Sequence, residues 1–296
     1  MIRNLFFIMA FVFITANADA QTDTAKIWKT GGFASVTFNQ VSLSNWTAGG
    51  ENALSGTAIL NLHANRTKGK SAWENSLDLG YGIMKSSTNK VRKNEDKIEL
   101  NSKYGYKAFD KVFYTAMFNY RTQFNDGFKY PNDSVVVSRF NAPGYITLSL
   151  GMDYKPAEYF SVFLSPAAGR LTMVSDQRLA DMGAYGVDSA QYSATGALIK
   201  HGKRVRMEFG ASLSAKFQKD VVKNVNVVSK LVLFNNYTDK VVSNRKNIAV
   251  NWDAMVNIKA GKFLTTSIFA NLIYDQNVIS KTQFKEVIGV GASYKF

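Results

Sequence analysis

The chain has 296 residues, no cysteine, four prolines and a formal net charge of +14. Without cysteine, disulfide staples and thiolate metal sites are excluded. Aromatic residues reach 13% and proline is scarce, a composition that suits strands better than a loop-rich scaffold.

In chain order, the first element is a targeting segment. Met1-Ile-Arg3-Asn4 is a short basic start, Leu5 to Ile14 is an almost unbroken apolar run, and Ala18-Asp19-Ala20 supplies a small-x-small cleavage pattern. The run is shorter than the roughly 20 residues a helical span needs. The reading is a signal peptide over 1–20 cleaved before Gln21, a short periplasmic segment over 21–30, and a barrel over 31–296. Export makes nucleic acid an unsuitable partner for the positive charge. Anionic lipopolysaccharide phosphates, or a lumen that favours anions, account for it instead.

Period-two alternation then marks twelve segments: 31–42, 53–65, 71–84, 96–106, 111–124, 144–154, 159–171, 204–217, 224–235, 247–258, 263–274 and 284–296. Ten and fourteen are the neighbouring counts. Short connections alternate with longer ones, the longest being 125–143 and 172–203. Mean hydropathy is slightly negative, at −0.14. An alternating strand averages its two faces, so this value does not argue against a membrane barrel. The expected fold is an all-β, membrane-spanning, antiparallel up-and-down barrel with both termini periplasmic.

The faces sort by polarity. In the third segment Trp73, Leu77, Leu79, Tyr81 and Ile83 oppose Glu74, Ser76, Asp78, Gly80 and Gly82. Charge on a lipid face costs about 2–4 kcal/mol near mid-bilayer, so charged residues belong on the other side. The residues expected to line the lumen are Glu74, Asp78, Lys97, Glu99, Lys103, Arg121, Asp153, Arg206, Glu208, Lys216, Lys230 and Asp253. Whether they plug it or line a narrow anion-preferring path is left open. Aromatic girdles are expected at Trp73, Tyr104, Tyr106, Tyr154, Phe160, Phe217, Tyr274 and Tyr294. One irregularity stands out: Pro166 interrupts the seventh segment, and unbroken alternation would send Arg170 into lipid, so a bulge or an early exit is expected there.

No constellation points to catalysis. His63 and His201 are the only histidines; the first reads as a lumenal polar residue and the second as a loop residue. Neither has a neighbouring nucleophile and orienting group at a useful spacing. Asp133, Asp181 and Asp188 read as ordinary loop acids, and no run has calcium-loop spacing. No catalytic, cofactor-binding or metal-binding residue is assigned, and no cofactor is expected.

The stretch Asn45-Trp46-x-x-Gly49-Gly50-x-Asn52-x-Leu54-Ser55 reads either as a well-formed first loop or as a docking epitope, with Asn45, Trp46, Gly49 and Gly50 as candidate contacts. Together with Arg139-Phe-Asn-Ala-Pro143-Gly-Tyr145, Ser161-x-Phe163-x-Ser165-Pro166 and the Phe296 ending, it resembles a Bacteroidota outer-membrane barrel family known as domain of unknown function 3078. The resemblance implies an outer-membrane barrel without an established activity, so no catalytic residue carries over. The closing run to Tyr294 and Phe296 reads as the signal recognised by the barrel-insertion machinery. The expected function is a non-enzymatic accessory subunit of a larger outer-membrane assembly, in contact with lipid, lipopolysaccharide and other outer-membrane proteins. The alternatives are a narrow porin-like channel and, last, a lipid- or lipopolysaccharide-modifying enzyme.

Overall fold

The computed structural model describes residues 27–42, 51–87, 90–130, 132–261 and 264–296. Twelve long strands follow one another: β1 (Trp28–Val41), β2 (Ala53–Lys68), β3 (Ser71–Ser86), β4 (Arg92–Phe109), β5 (Val112–Thr122), β6 (Gly144–Ala157), β7 (Phe160–Met173), β8 (Val205–Val222), β9 (Val225–Asn236), β10 (Ile248–Ala260), β11 (Leu264–Asp275) and β12 (Ile279–Lys295). Each pairs antiparallel with its neighbours in sequence, and β12 pairs with β1 to close the ring. All twelve expected segments are present.

Several strands outrun the alternation that marked them. β4 begins at Arg92, β8 runs to Val222 and β12 begins at Ile279, so the connection expected over 275–283 is only the turn 276–278. A strand that projects past the bilayer has water on both faces. It keeps its ladder hydrogen bonds but loses the alternating signal.

One end of the barrel carries tight turns at 69–70, 110–111, 158–159 and 223–224. Gly69, Lys111 and Asn224 take left-handed φ there, at 56°, 60° and 67°, as reversals this short require. Both described ends of the chain lie at this rim. The other end carries the long connections 123–143 and 174–204.

The irregularity in β7 is a bulge. Leu150 pairs with Ala167 and Met152 with Leu164, so Ser165 and Pro166 together oppose Gly151. A Cβ on Gly151 would lie 2.0 Å from the Leu164 carbonyl, which is why glycine stands there. The extra residue flips the alternation and turns Arg170 inward.

The outer wall is apolar and open to its surroundings. Leu148, Leu150 and Met152 on β6, Met207 and Phe209 on β8, and Ile288 and Val290 on β12 all face outward, with Met207 78% exposed. A continuous apolar wall of this kind is stable only against hydrocarbon. Two of its tryptophans have their indole N–H paired: Trp73 Nε1 donates to Ser102 Oγ at 2.9 Å, and Trp252 Nε1 to Ser229 Oγ at 2.9 Å. Trp28, Trp73, Tyr104, Tyr106, Tyr154 and Tyr294 are exposed toward the short-turn rim, where an interfacial girdle belongs. No helix among the described residues is long and apolar enough to cross a membrane.

The ring closes over its shortest seam. β1 and β12 share six register pairs, from Phe33↔Lys295 to Phe38↔Val290. The Phe296 N–H donates to Gly32 O at 3.0 Å, and the Gly32 N–H donates back to Phe296 O at 2.8 Å. β1 lies so close that a Cβ on Gly291 would sit 1.9 Å from the Val36 carbonyl, whereas one on Gly169 would meet nothing within 4 Å. Gly291→Val is therefore expected to destabilise closure by about 1–3 kcal/mol, and Gly169→Ala to leave it unchanged. The temperature at which the heat-modifiable electrophoretic shift occurs measures both.

Candidate functional site

Alternation sends all twelve expected lumenal residues inward, and the lumen orders them in layers. Nearest the short turns, Lys103 Nζ lies 2.8 Å from Asp153 and 3.5 Å from Glu74, and Lys155 bridges the same two carboxylates. Asn61 of β2 donates to Asp78 of β3.

The middle layer crosses the barrel. Lys97 of β4 contacts Glu99 at 2.9 Å and reaches Asp253 of β10 at 3.4 Å, while Lys230 of β9 pairs with Glu99. β4 and β10 stand six places apart in a ring of twelve and β4 and β9 five, so the Lys97–Asp253 and Lys230–Glu99 pairs reach across the barrel. Arg121 sits directly across the ladder from Glu99, and Asn119 donates to Glu99 at 3.0 Å. Asn271 adds a 2.6 Å bond to Asp253, and Lys285 pairs with Glu95.

Toward the long loops, Arg170 grips Glu208 through two bonds of 2.7 and 2.9 Å and reaches Asp275 at 3.1 Å. Arg206 pairs with the same carboxylate, and Asn236 donates to it at 3.0 Å. The Glu208 side chain is only 1% exposed.

Arg206 also donates to Gly186 O at 3.2 Å, which ties the lumen to a folded crown. The crown's loop 174–204 carries a short helix, α1 (Gln177–Asp181), capped by Asp176, which accepts from the Leu179 N–H. Ala142, Val174, Leu179, Ala180 and Val187 form its small apolar core. Tyr185 donates to Val137 O at 2.7 Å, and burial pushes its phenol up to about 12. The loop acids each brace this crown. Asp181 accepts from the Gly202 N–H at 2.7 Å and contacts His201 at 3.0 Å; Asp133 pairs with Lys90 at 3.0 Å, and Asp188 with Lys203 at 3.0 Å and with Lys240. His63 lies on the lumenal face against Gly31, whose added Cβ would meet its Cε1 at 2.8 Å.

Lys155, Glu95, Lys285, Arg170 and Asp275 complete the network, yet fall outside the lumenal set read from the sequence. Extending the period-two count past each apparent strand end reaches Lys155 from Asp153 and Glu95 from Lys97. Arg170 needed the bulge. Asn45, Trp46, Gly49, Gly50 and the signal segment 1–20 lie outside the described residues. Tyr294 and Phe296 stack at 5.9 Å on the outer face beside the closing seam.

These features define a twelve-stranded, membrane-spanning β-barrel with a charged lumen. Residues 38–128 match the family model described as "Protein of unknown function (DUF3078)". No curated protein matches the chain. Among solved structures, the chain is similar to the translocator domain of the autotransporter NalP from Neisseria meningitidis, with 10% identity, 99% of this chain and 97% of that one covered, and a TM-score of 0.39. It is also similar to an outer membrane channel from Pseudomonas putida F1, with 12% identity, 93% and 99% coverage and a TM-score of 0.39. The NanC porin aligns at 8% identity, 88% and 98% coverage and a TM-score of 0.38.

Two predictions follow from this geometry. Glu208→Ala strands Arg170 and Arg206 in a buried site and is expected to cost about 3–5 kcal/mol; adding Arg170→Met recovers part of that, as urea unfolding would measure. In the crown, hydrogen bonds from Lys240 and then Lys203 hold the Asp188 carboxyl below its usual range. Its contribution is complete above the ordinary aspartate value of about 4 and is lost as pH falls through the lower folded value. Limited proteolysis of loop 174–204 should therefore accelerate on acidification, and less so in Asp188→Asn, which has already lost the charge.

Proposed function

We propose that this chain is a non-enzymatic outer-membrane barrel that serves as an accessory subunit of a larger outer-membrane assembly, with its short turns and termini on the periplasmic side. The observation that carries this reading is the pairing of a blocked lumen with a built crown. Ion pairs cross the middle of the barrel, and loop 174–204 is tied to the lumenal Arg206, an arrangement that opposes free passage of solutes. The crown meanwhile presents apolar side chains to water: Phe140 is 53% exposed, Met182 64%, Ile199 67% and Val242 69%. Folded loops that display apolar residues are suited to contact with another protein. The stacked Tyr294 and Phe296 ending is the part offered to the insertion machinery.

The second reading, a narrow channel with mild anion preference, draws support from the lysines that surround the short-turn half of the lumen.

Mild detergent extraction of the native membrane, followed by pull-down and mass spectrometry, tests the proposal. Stoichiometric partners are expected with the wild-type chain, and Ile199→Glu with Phe140→Glu should reduce their recovery about tenfold while heat-modifiability is retained, as loss of apolar contacts at an interface centre implies. Recovery of the barrel alone would overturn the subunit reading.

A further inference from the structure

We infer that the short-turn half of the lumen is a binding site for a small amphiphilic anion, a carboxylate carried on a short apolar chain or ring. This goes beyond the subunit reading and stands independently of it. A cavity of about 880 Å³ extends from the crossing ion pairs to the short-turn rim, where Lys223, Asn224 and Lys259 border it. That is a size suited to a small organic ligand.

Its charge is unbalanced in one place. Seven lysines and five acidic residues line the cavity. Lys97, Lys103 and Lys230 have carboxylate partners, but among the described residues no ion pair includes Lys216, Lys223, Lys259 or Lys295. Lys216 is the sharpest case. It sits directly opposite Lys230 on the neighbouring strand, with both ammonium groups on the lumenal face. Like charges directly opposed across a ladder are unfavourable. Glu99 neutralises Lys230, whereas Lys216 faces the Glu74 and Asp78 carboxylates without an ion-pair contact among the described residues, and its side chain remains exposed to the cavity. A bound anion would supply the missing contact.

The neighbouring row of the ladder defines the rest of the ligand. Val228 pairs with Met255, Met255 with Phe269 and Phe269 with Val287, so one register step from Lys216 the lumenal face is apolar across four strands. The stripe forms a continuous apolar run on a cavity wall that elsewhere mixes Asn, Ser, Lys and acidic residues with scattered apolar ones. An anionic head at Lys216 with an apolar body along Val228, Met255 and Phe269 satisfies both features. The unpaired lysines at the rim would draw such anions in.

The test uses the full barrel in lipid nanodiscs, with octanoate and octanol as probes in isothermal titration and empty nanodiscs as the reference. Octanoate is expected to bind saturably at one per barrel, and octanol about tenfold more weakly, the value of one charge-assisted contact. Lys216→Met keeps the aliphatic stem and should lose about the same tenfold, while Met255→Gln should weaken octanoate and octanol alike. Heat-modifiable migration checks that each variant is folded, and the octanol arm decides the matter if Lys216→Met fails to fold. Equal binding of octanoate and octanol, wild-type affinity in Lys216→Met, or no saturable heat above empty nanodiscs would each overturn the proposal.

Discussion

A strand wall in hydrocarbon has no water to satisfy its backbone, so every N–H and C=O of the spanning region must be answered by another strand. That requirement closes the ring, and closure sorts the side chains. With the outer face committed to lipid, most charges of the spanning strands are pushed to the inner face, Glu286 of β12 being an exception, and there they crowd within reach of one another. The paired lumen thus follows from the same constraint that produces the apolar wall. At the seam between β1 and β12 it selects glycine at 291, where the opposing backbone leaves no room for a side chain, and at 289, where the Thr37 side chain fills the space.

Twelve strands give a lumen narrow enough for side chains from opposite walls to meet. Lys97 with Asp253, and Lys230 with Glu99, do so across the barrel, and each carboxylate is also held by an asparagine. Charges in such a place are stable only as a set, since removing one leaves its partner buried and unanswered. The loop-side cluster of Arg170, Arg206 and Glu208 follows the same rule and passes it on to the crown through Gly186. The interior is therefore asymmetric. It is bridged by ion pairs from the middle to the loops and holds a cavity from the middle to the short turns, where four lysines have no ion-pair partner among the described residues.

Most of this architecture was legible in the sequence because a lipid-facing barrel writes itself in period two. The faces of β3, β5, β8 and β10 could be sorted residue by residue, and the twelve segments needed nothing beyond alternation. What escaped did so for physical reasons. β12 beyond Phe284 stands in water on both faces, so Lys281 to Gln283 carry no alternation although they are in the ladder. Arg170 was hidden behind the Ser165–Pro166 bulge, whose existence could be suspected from Pro166 but whose phase shift had to be seen. Which lysine pairs with which acid across the lumen is a matter of ring position, and no local pattern encodes it. The same holds for the crown, whose core of Ala142, Val174, Leu179 and Val187 unites residues from two long connections with no periodicity of their own.

The central claim is that the crossing ion pairs shut the barrel, and planar-bilayer conductance of the purified wild-type protein tests it most directly. The account predicts no resolved current steps in the wild type, and steps that appear once Lys97 and Lys230 are both replaced by alanine. Steady single-channel currents from the wild type, carried mainly by anions, would contradict it.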